Sequence, residues 1–145
     1  MLSLAQAVRN AIEAERAAAR FYRGLASRAD DDAVRQFFLE MAAQEEAHAA
    51  SIEQLGQKMQ AGELPLAPDH DVRGVESAPG WSGVEQIEMD QALVLALEGE
   101  QHASLYYEAI GDSCTGEVAS FFKELARNED HHAEALQKLI AQRND

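Results

Sequence analysis

The sequence predicts an all-α protein: a four-helix bundle of two antiparallel helical hairpins joined by a long crossover connection. Three observations carry this reading. The 145 residues are rich in Ala, Glu, Leu and Gln, which favour helix, and include only 3 Pro. The chain repeats itself at a period of about 85 residues, too long for a solenoid unit and right for a helical hairpin. All 3 Pro fall between the two repeats, in the segment 60–83. A single domain is expected at this length, with enough chain to bury one core without covalent staples.

The first helix is expected over 3–28, where Ser3 and Gln6 make a capping-box pattern. The second is expected over 32–59, entered through Asp30, Asp31 and Asp32, which suit the positive end of a helix dipole. Only 29–31 separate the two, so they fold back as an antiparallel pair. The connection 60–83 could span about 80 Å if extended at roughly 3.3 Å per residue, whereas a helix of 26 residues is only about 39 Å long. It can therefore run the length of the bundle and start the third helix parallel to the second. That third helix, 84–111, is opened by a second capping-box pattern, Ser82 with Glu85. The fourth, 116–143, follows a short turn and has Thr115 as its cap.

The repeat is specific. IEAERAAARFYRGLA (12–26) aligns with LEGEQHASLYYEAIG (97–111), setting Glu15 on Glu100 and Tyr22 on Tyr107 at an offset of 85. VRQFFLEMAAQEEAHAASIEQL (34–55) aligns with VASFFKELARNEDHHAEALQKL (118–139), setting Glu45 on Glu129 and His48 on His132 at an offset of 84.

Helical periodicity then puts carboxylates on the wrong face. One and two turns from Glu15 lie Val8, Ala11, Ile12, Ala18, Ala19 and Tyr22, a stripe that must face the core. Glu45, Glu100 and Glu129 sit in equally apolar stripes. Each lies near the middle of its helix, so packing brings all four to one height. Four buried carboxylates repel one another and lose hydration, and no Lys or Arg stands in those stripes to offset them. Two divalent cations would balance the charge. Glu45 with His48 and Glu129 with His132 are Glu-x-x-His pairs, whose side chains share one helix face a turn apart. The expected ligands are Glu15, Glu45, His48, Glu100, Glu129 and His132. A carboxylate-rich set with two imidazoles suits two iron ions, with manganese or a mixed pair as the alternative. Tyr22 and Tyr107 could hydrogen-bond the ligand carboxylates or pack as core aromatics.

Totals narrow the function further. A net charge of −14 argues against nucleic acid and against acidic membrane surfaces, which need clustered Lys and Arg. Cys114 is the single cysteine, so no intrachain disulfide and no thiolate metal site can form. No stretch approaches the roughly 20 apolar residues of a membrane span, and the N-terminus carries Arg9, Glu13, Glu15 and Arg16 where a signal peptide would be apolar. A cytoplasmic location is expected. Glu13, Glu46, Glu98, His102 and His131 are expected off the metal-facing stripes, with His70 and Trp81 in the connection.

Over all four helices the chain resembles the rubrerythrin branch of the ferritin-like superfamily. The resemblance rests on Glu15 with Tyr22, EEAH (45–48) after FFLEMAAQ, Glu100 with Tyr107, and EDHH (129–132) after FFKELARN. It implies a non-haem di-iron centre bridged by Glu45 and Glu129, with Glu15 and Glu100 terminal and one histidine on each iron. Such centres cycle between diferrous and diferric states while reducing hydrogen peroxide or dioxygen, and relatives commonly form homodimers. Two features depart from full-length rubrerythrins. The rubredoxin domain's Cys-x-x-Cys pairs are absent from these residues, so electrons are expected from an external donor such as a rubredoxin-type protein. Ala103 stands where rubrerythrins carry a further glutamate, which makes the centre resemble the symmetric one of bacterioferritin. Glu46 occupies the place of that family's haem-ligating methionine, so no haem is expected. The alternatives are a ferroxidase for iron storage or detoxification and a non-catalytic metal-binding or sensor bundle.

Overall fold

In the computed structural model, which describes residues 2–74 and 87–144, four helices account for most of the chain. They are α1 (Leu4–Arg28), α2 (Asp32–Gln60), α3 (Met89–Asp112) and α4 (Gly116–Arg143). The architecture is the all-α four-helix bundle that the composition and repeat predict. None of the described helices is long and apolar enough to cross a membrane.

The caps follow local chemistry, with three differences from expectation. Ser3 caps α1, its hydroxyl accepting from the Gln6 backbone N–H at 3.1 Å. The reciprocal half of the capping box is missing, because the Gln6 amide donates instead to Asn10 and accepts from Arg9. Asp31 caps α2 by accepting from the backbone N–H groups of Ala33 and Val34. Thr115 holds the N-cap position of α4 but makes no side-chain capping bond. The third helix begins later than predicted: Ile87 and Glu88 are not helical, and Glu88 is the extended N-cap with ψ 155°. The Arg28 guanidinium on α1 donates to the Ile87 carbonyl just ahead of this start, tying it to the first helix. The Ser82–Glu85 capping pattern, Trp81 and the predicted start at 84 lie outside the described residues.

The connection is tied to one end of the bundle. Two short strands, β1 (Leu2–Ser3) and β2 (Asp71–Val72), pair antiparallel. The carbonyls of His70 and Pro68 accept from the N–H groups of Leu4 and Ala5, supplying acceptors to the first turn of α1. The His70 ring then meets the Ser113 carbonyl at 2.6 Å, fixing the connection to the α3–α4 turn. The start of α1 and the end of α3 therefore share an end, so α3 runs parallel to α2.

The core consists of two apolar clusters. One gathers the start of α1, the end of α2, the end of α3 and the start of α4, including Leu4, Ile52, Ile110 and Phe122. The other gathers the opposite ends, including Leu25, Phe38, Leu93 and Leu136. The four glutamates of the repeat belong to neither cluster and occupy the level between them.

Candidate metal centre

Each helix contributes one glutamate to that level, and all four are buried: Glu15, Glu45, Glu100 and Glu129 are at most 2 % exposed. Helical spacing accounts for the placement. Glu15 follows Ala11 on the inner face of α1, and Glu129 follows Leu125 and Ala126 on that of α4, all buried. Three residues after their glutamates, His48 and His132 turn into the same layer with nearly parallel rings 5.7 Å apart.

The six side chains fall into two overlapping groups whose ligand-type atoms lie within 4.8 Å of one another. One comprises Glu15, Glu45, His48 and Glu129, the other Glu45, Glu100, Glu129 and His132. Glu45 and Glu129 are common to both, while Glu15 with His48 and Glu100 with His132 belong to one each. The imidazoles cross between the repeats: His48 Nδ1 is 2.9 Å from Glu129 Oε1, and His132 Nδ1 is 2.9 Å from Glu45 Oε1.

The tyrosines cross as well. Tyr22 on α1 donates its hydroxyl to Glu100 Oε1 at 2.6 Å, and Tyr107 on α3 donates to Glu15 Oε1 at 2.6 Å. Each ring packs in an apolar cluster, Tyr22 stacked on Phe38 at 6.3 Å and Tyr107 against Phe122 at 6.1 Å. The two readings of these tyrosines are therefore both realised, core packing by the ring and hydrogen bonding by the hydroxyl. Burial, reinforced by the nearby carboxylates, pushes both phenols well above their usual range, so they remain O–H donors.

The tyrosine bonds satisfy one oxygen of each terminal carboxylate and leave the other free. Among the described residues, the buried side-chain atoms without a hydrogen-bond partner are Glu15 Oε2, Glu45 Oε1, His48 Nδ1, Glu100 Oε2, both oxygens of Glu129, and His132 Nδ1. Every one belongs to this layer. Buried polar atoms are normally paired, and a convergent set of orphans with carboxylate and imidazole chemistry fits a pair of cations.

Without cations, burial and mutual repulsion favour the protonated form of two of these carboxyls. Burial, then the proximity of Glu100 and Glu15, pushes the Glu45 carboxyl well above the ordinary range, and burial with Glu100 and Glu45 does the same to Glu129. Burial also acts to raise Glu100, but the close approach of Glu129 and His132, the attraction of His132 and the hydrogen bond from Tyr22 outweigh it, leaving this group lowered.

Gln44 also reaches the layer, with little in the sequence to mark it. Its side-chain oxygen meets His132 Nε2 across the α2–α4 interface. Only its place beside Glu45 hinted at a role, since the contact reaches another helix. Glu13, Glu46, Glu98, His102 and His131 are exposed, as their periodicity predicted. Ala103 is buried against the first apolar cluster.

The Rubrerythrin family model matches residues 6–87 and 91–145. Among solved structures, a Thermotoga maritima protein described as a ferritin-like diiron-carboxylate protein is similar, with 21 % identity and a TM-score of 0.77 over 97 % of this chain and 95 % of that one. A hypothetical protein from Pyrococcus furiosus is similar at 22 % identity and a TM-score of 0.78, over 96 % of this chain and 89 % of the other. No curated protein matches the sequence. The structural likenesses establish the fold, the layer of glutamates and histidines could bind iron, and the family match spans nearly the whole sequence: this chain belongs to the rubrerythrin family.

Proposed function

We propose that the chain is a non-haem di-iron oxidoreductase of the rubrerythrin type, reducing hydrogen peroxide or dioxygen with electrons from an external donor. The observation that carries this reading is the convergence, among the described residues, of the orphaned buried atoms on one layer. Glu45 and Glu129 would be shared between the ions, Glu15 with His48 would complete one position, and Glu100 with His132 the other. When bound, the iron pair would supply two electrons, which with two protons convert one hydrogen peroxide into two waters. The chain's own part is to hold geometry and exclude solvent. Tyr22 and Tyr107 each hold one carboxylate oxygen and leave its partner available. The apolar clusters on either side keep the layer dry.

The test is repeated turnover of peroxide by iron-loaded, reduced protein supplied with a donor. Rates above those of free iron are expected, and rates no higher would refute peroxidase function. Replacing Glu45 and Glu129 together by Ala should abolish metal binding, whereas unchanged metal content would remove the ligand assignment.

One feature favours a second reading. Ala103 supplies no additional carboxylate, so the two halves of the layer have matching ligand sets, the arrangement noted above for bacterioferritin-like centres. A ferroxidase would oxidise ferrous iron well beyond two equivalents per chain; cessation at two would count against it.

A further inference from the structure

The repeat makes the two halves of the centre look interchangeable, yet their histidines are held differently. His132 Nε2 is hydrogen-bonded to Gln44, which leaves Nδ1 as the lone-pair nitrogen turned into the layer. Its side chain is 7 % exposed. His48 also turns Nδ1 inward, but among the described residues its Nε2 has no hydrogen-bond partner, and its side chain is 14 % exposed. The residue that corresponds to Gln44 under the repeat is Asn128, one methylene shorter. The pseudo-twofold relation therefore fails at this pair of amides.

A metal-bound imidazole binds best when its other nitrogen is anchored, because the anchor fixes the ring and its tautomer before the metal arrives and makes the ligand more basic. An unanchored ring loses rotational freedom on binding. We infer that Gln44 is a positioning residue that makes the two metal positions unequal. The position built on Glu100 and His132 fills first and holds its ion tightly. The position built on Glu15 and His48 is the weaker one, where the more exposed ring lets an ion exchange with solution. This rests on the proposed two-metal reading. On that reading, one chain combines a retained ion with an exchangeable one.

The experiment is anaerobic titration with cobalt(II), a probe that accepts the same nitrogen and oxygen donors, followed by calorimetry and NMR. Because the ions share Glu45 and Glu129, the second would bind more weakly even in a symmetric site, so the decisive readout is which variant moves the first step. Gln44→Ala should weaken the first step by about 10- to 100-fold and leave the total at two ions per chain. Gln44→Glu, which keeps an acceptor, should restore it, and Asn128→Ala should leave both steps unmoved. In the cobalt-loaded protein, a slowly exchanging, paramagnetically shifted ring N–H from His132 is expected and should be lost with Gln44→Ala. Gln44 is exposed and lies within α2, so alanine is compatible with folding. Two bound ions with a first step unchanged by Gln44→Ala, or weakened equally by Asn128→Ala, would overturn the inference alone. No bound cobalt in the wild type would overturn the metal-centre reading and the inference with it.

Discussion

The glutamate layer and the apolar clusters on either side of it are built on the same four helices, at positions with the same burial, yet they contribute to folding with opposite sign. In the clusters, Phe38, Phe122, Ile52 and Leu136 are removed from water at no polar cost. In the layer, four carboxylates are equally dry and leave oxygens without partners. Stability thus resides at the two ends of the bundle, and the middle holds a charge problem that bound metal would resolve. Proteins often place unfavourable local chemistry where function needs it.

The comparison can be broken most forcefully in the clusters. Phe122→Ala is expected to cost about 3–5 kcal/mol of stability, measured by denaturant unfolding of the metal-free protein. Folded Phe122→Ala protein should still bind two ions, since the ligands themselves are untouched. Loss of metal with stability unchanged would reverse the division drawn here.

Metal addition tests the layer directly. Ferrous iron added anaerobically at about 100 times its dissociation constant should stabilise the chain by about 2.7 kcal/mol per ion, visible as a rise in Tm. The Glu45→Ala, Glu129→Ala double variant should show no such rise, and its metal-free form should lose little stability relative to wild type, because repulsion is relieved as packing is lost.

A smaller effect is expected at the boundary between the regions. Tyr107→Phe keeps the ring in its cluster and removes the bond to Glu15, so the cost should be about 1–2 kcal/mol, mirrored by Tyr22→Phe at Glu100. Metal affinity should fall as the freed carboxylate loses its orientation, which titration would detect. Equal stability and affinity in these variants would mean that the hydroxyls are bystanders.

The gentlest probe is pH. Glu45 and Glu129 are raised in the fold, so the native state holds protons that the unfolded chain releases from the ordinary carboxylate range upward. Their contribution is fully present below that range and is lost as pH rises through the raised values, so the Tm of metal-free protein should decline as pH rises. Glu100 is lowered and acts in the other direction, its contribution being lost only as pH falls through its depressed value. Metal binding should release protons and strengthen with pH, measurable by calorimetry in buffers of different ionisation enthalpy.

Much of this is legible in the sequence. The helix limits of α1, α2 and α4 follow from Ser3, the Asp30–Asp32 run and the turn at 112–115, because caps and turns are local chemistry. The start of α3 is not: Glu88 is its N-cap, and the neighbouring Ile87 carbonyl is held by Arg28 from another helix, a contact no local pattern reveals. Similarly, periodicity could bury Tyr22 and Tyr107 but could not say whether their hydroxyls met a carboxylate. Nor could it show that each would bond the glutamate of the opposite repeat.

By itself, then, the sequence determined the class, the duplication and the four buried glutamates, since helical period and capping depend only on neighbours along the chain. Tertiary structure alone decided how the halves meet: the crossed tyrosine–glutamate bonds, Glu45 and Glu129 common to both groups, and the Gln44–His132 anchor that breaks the repeat's symmetry. These are contacts between residues 78 to 92 positions apart, set by the relative rotation of packed helices. No local pattern encodes that rotation, because it is fixed by how the two apolar clusters close.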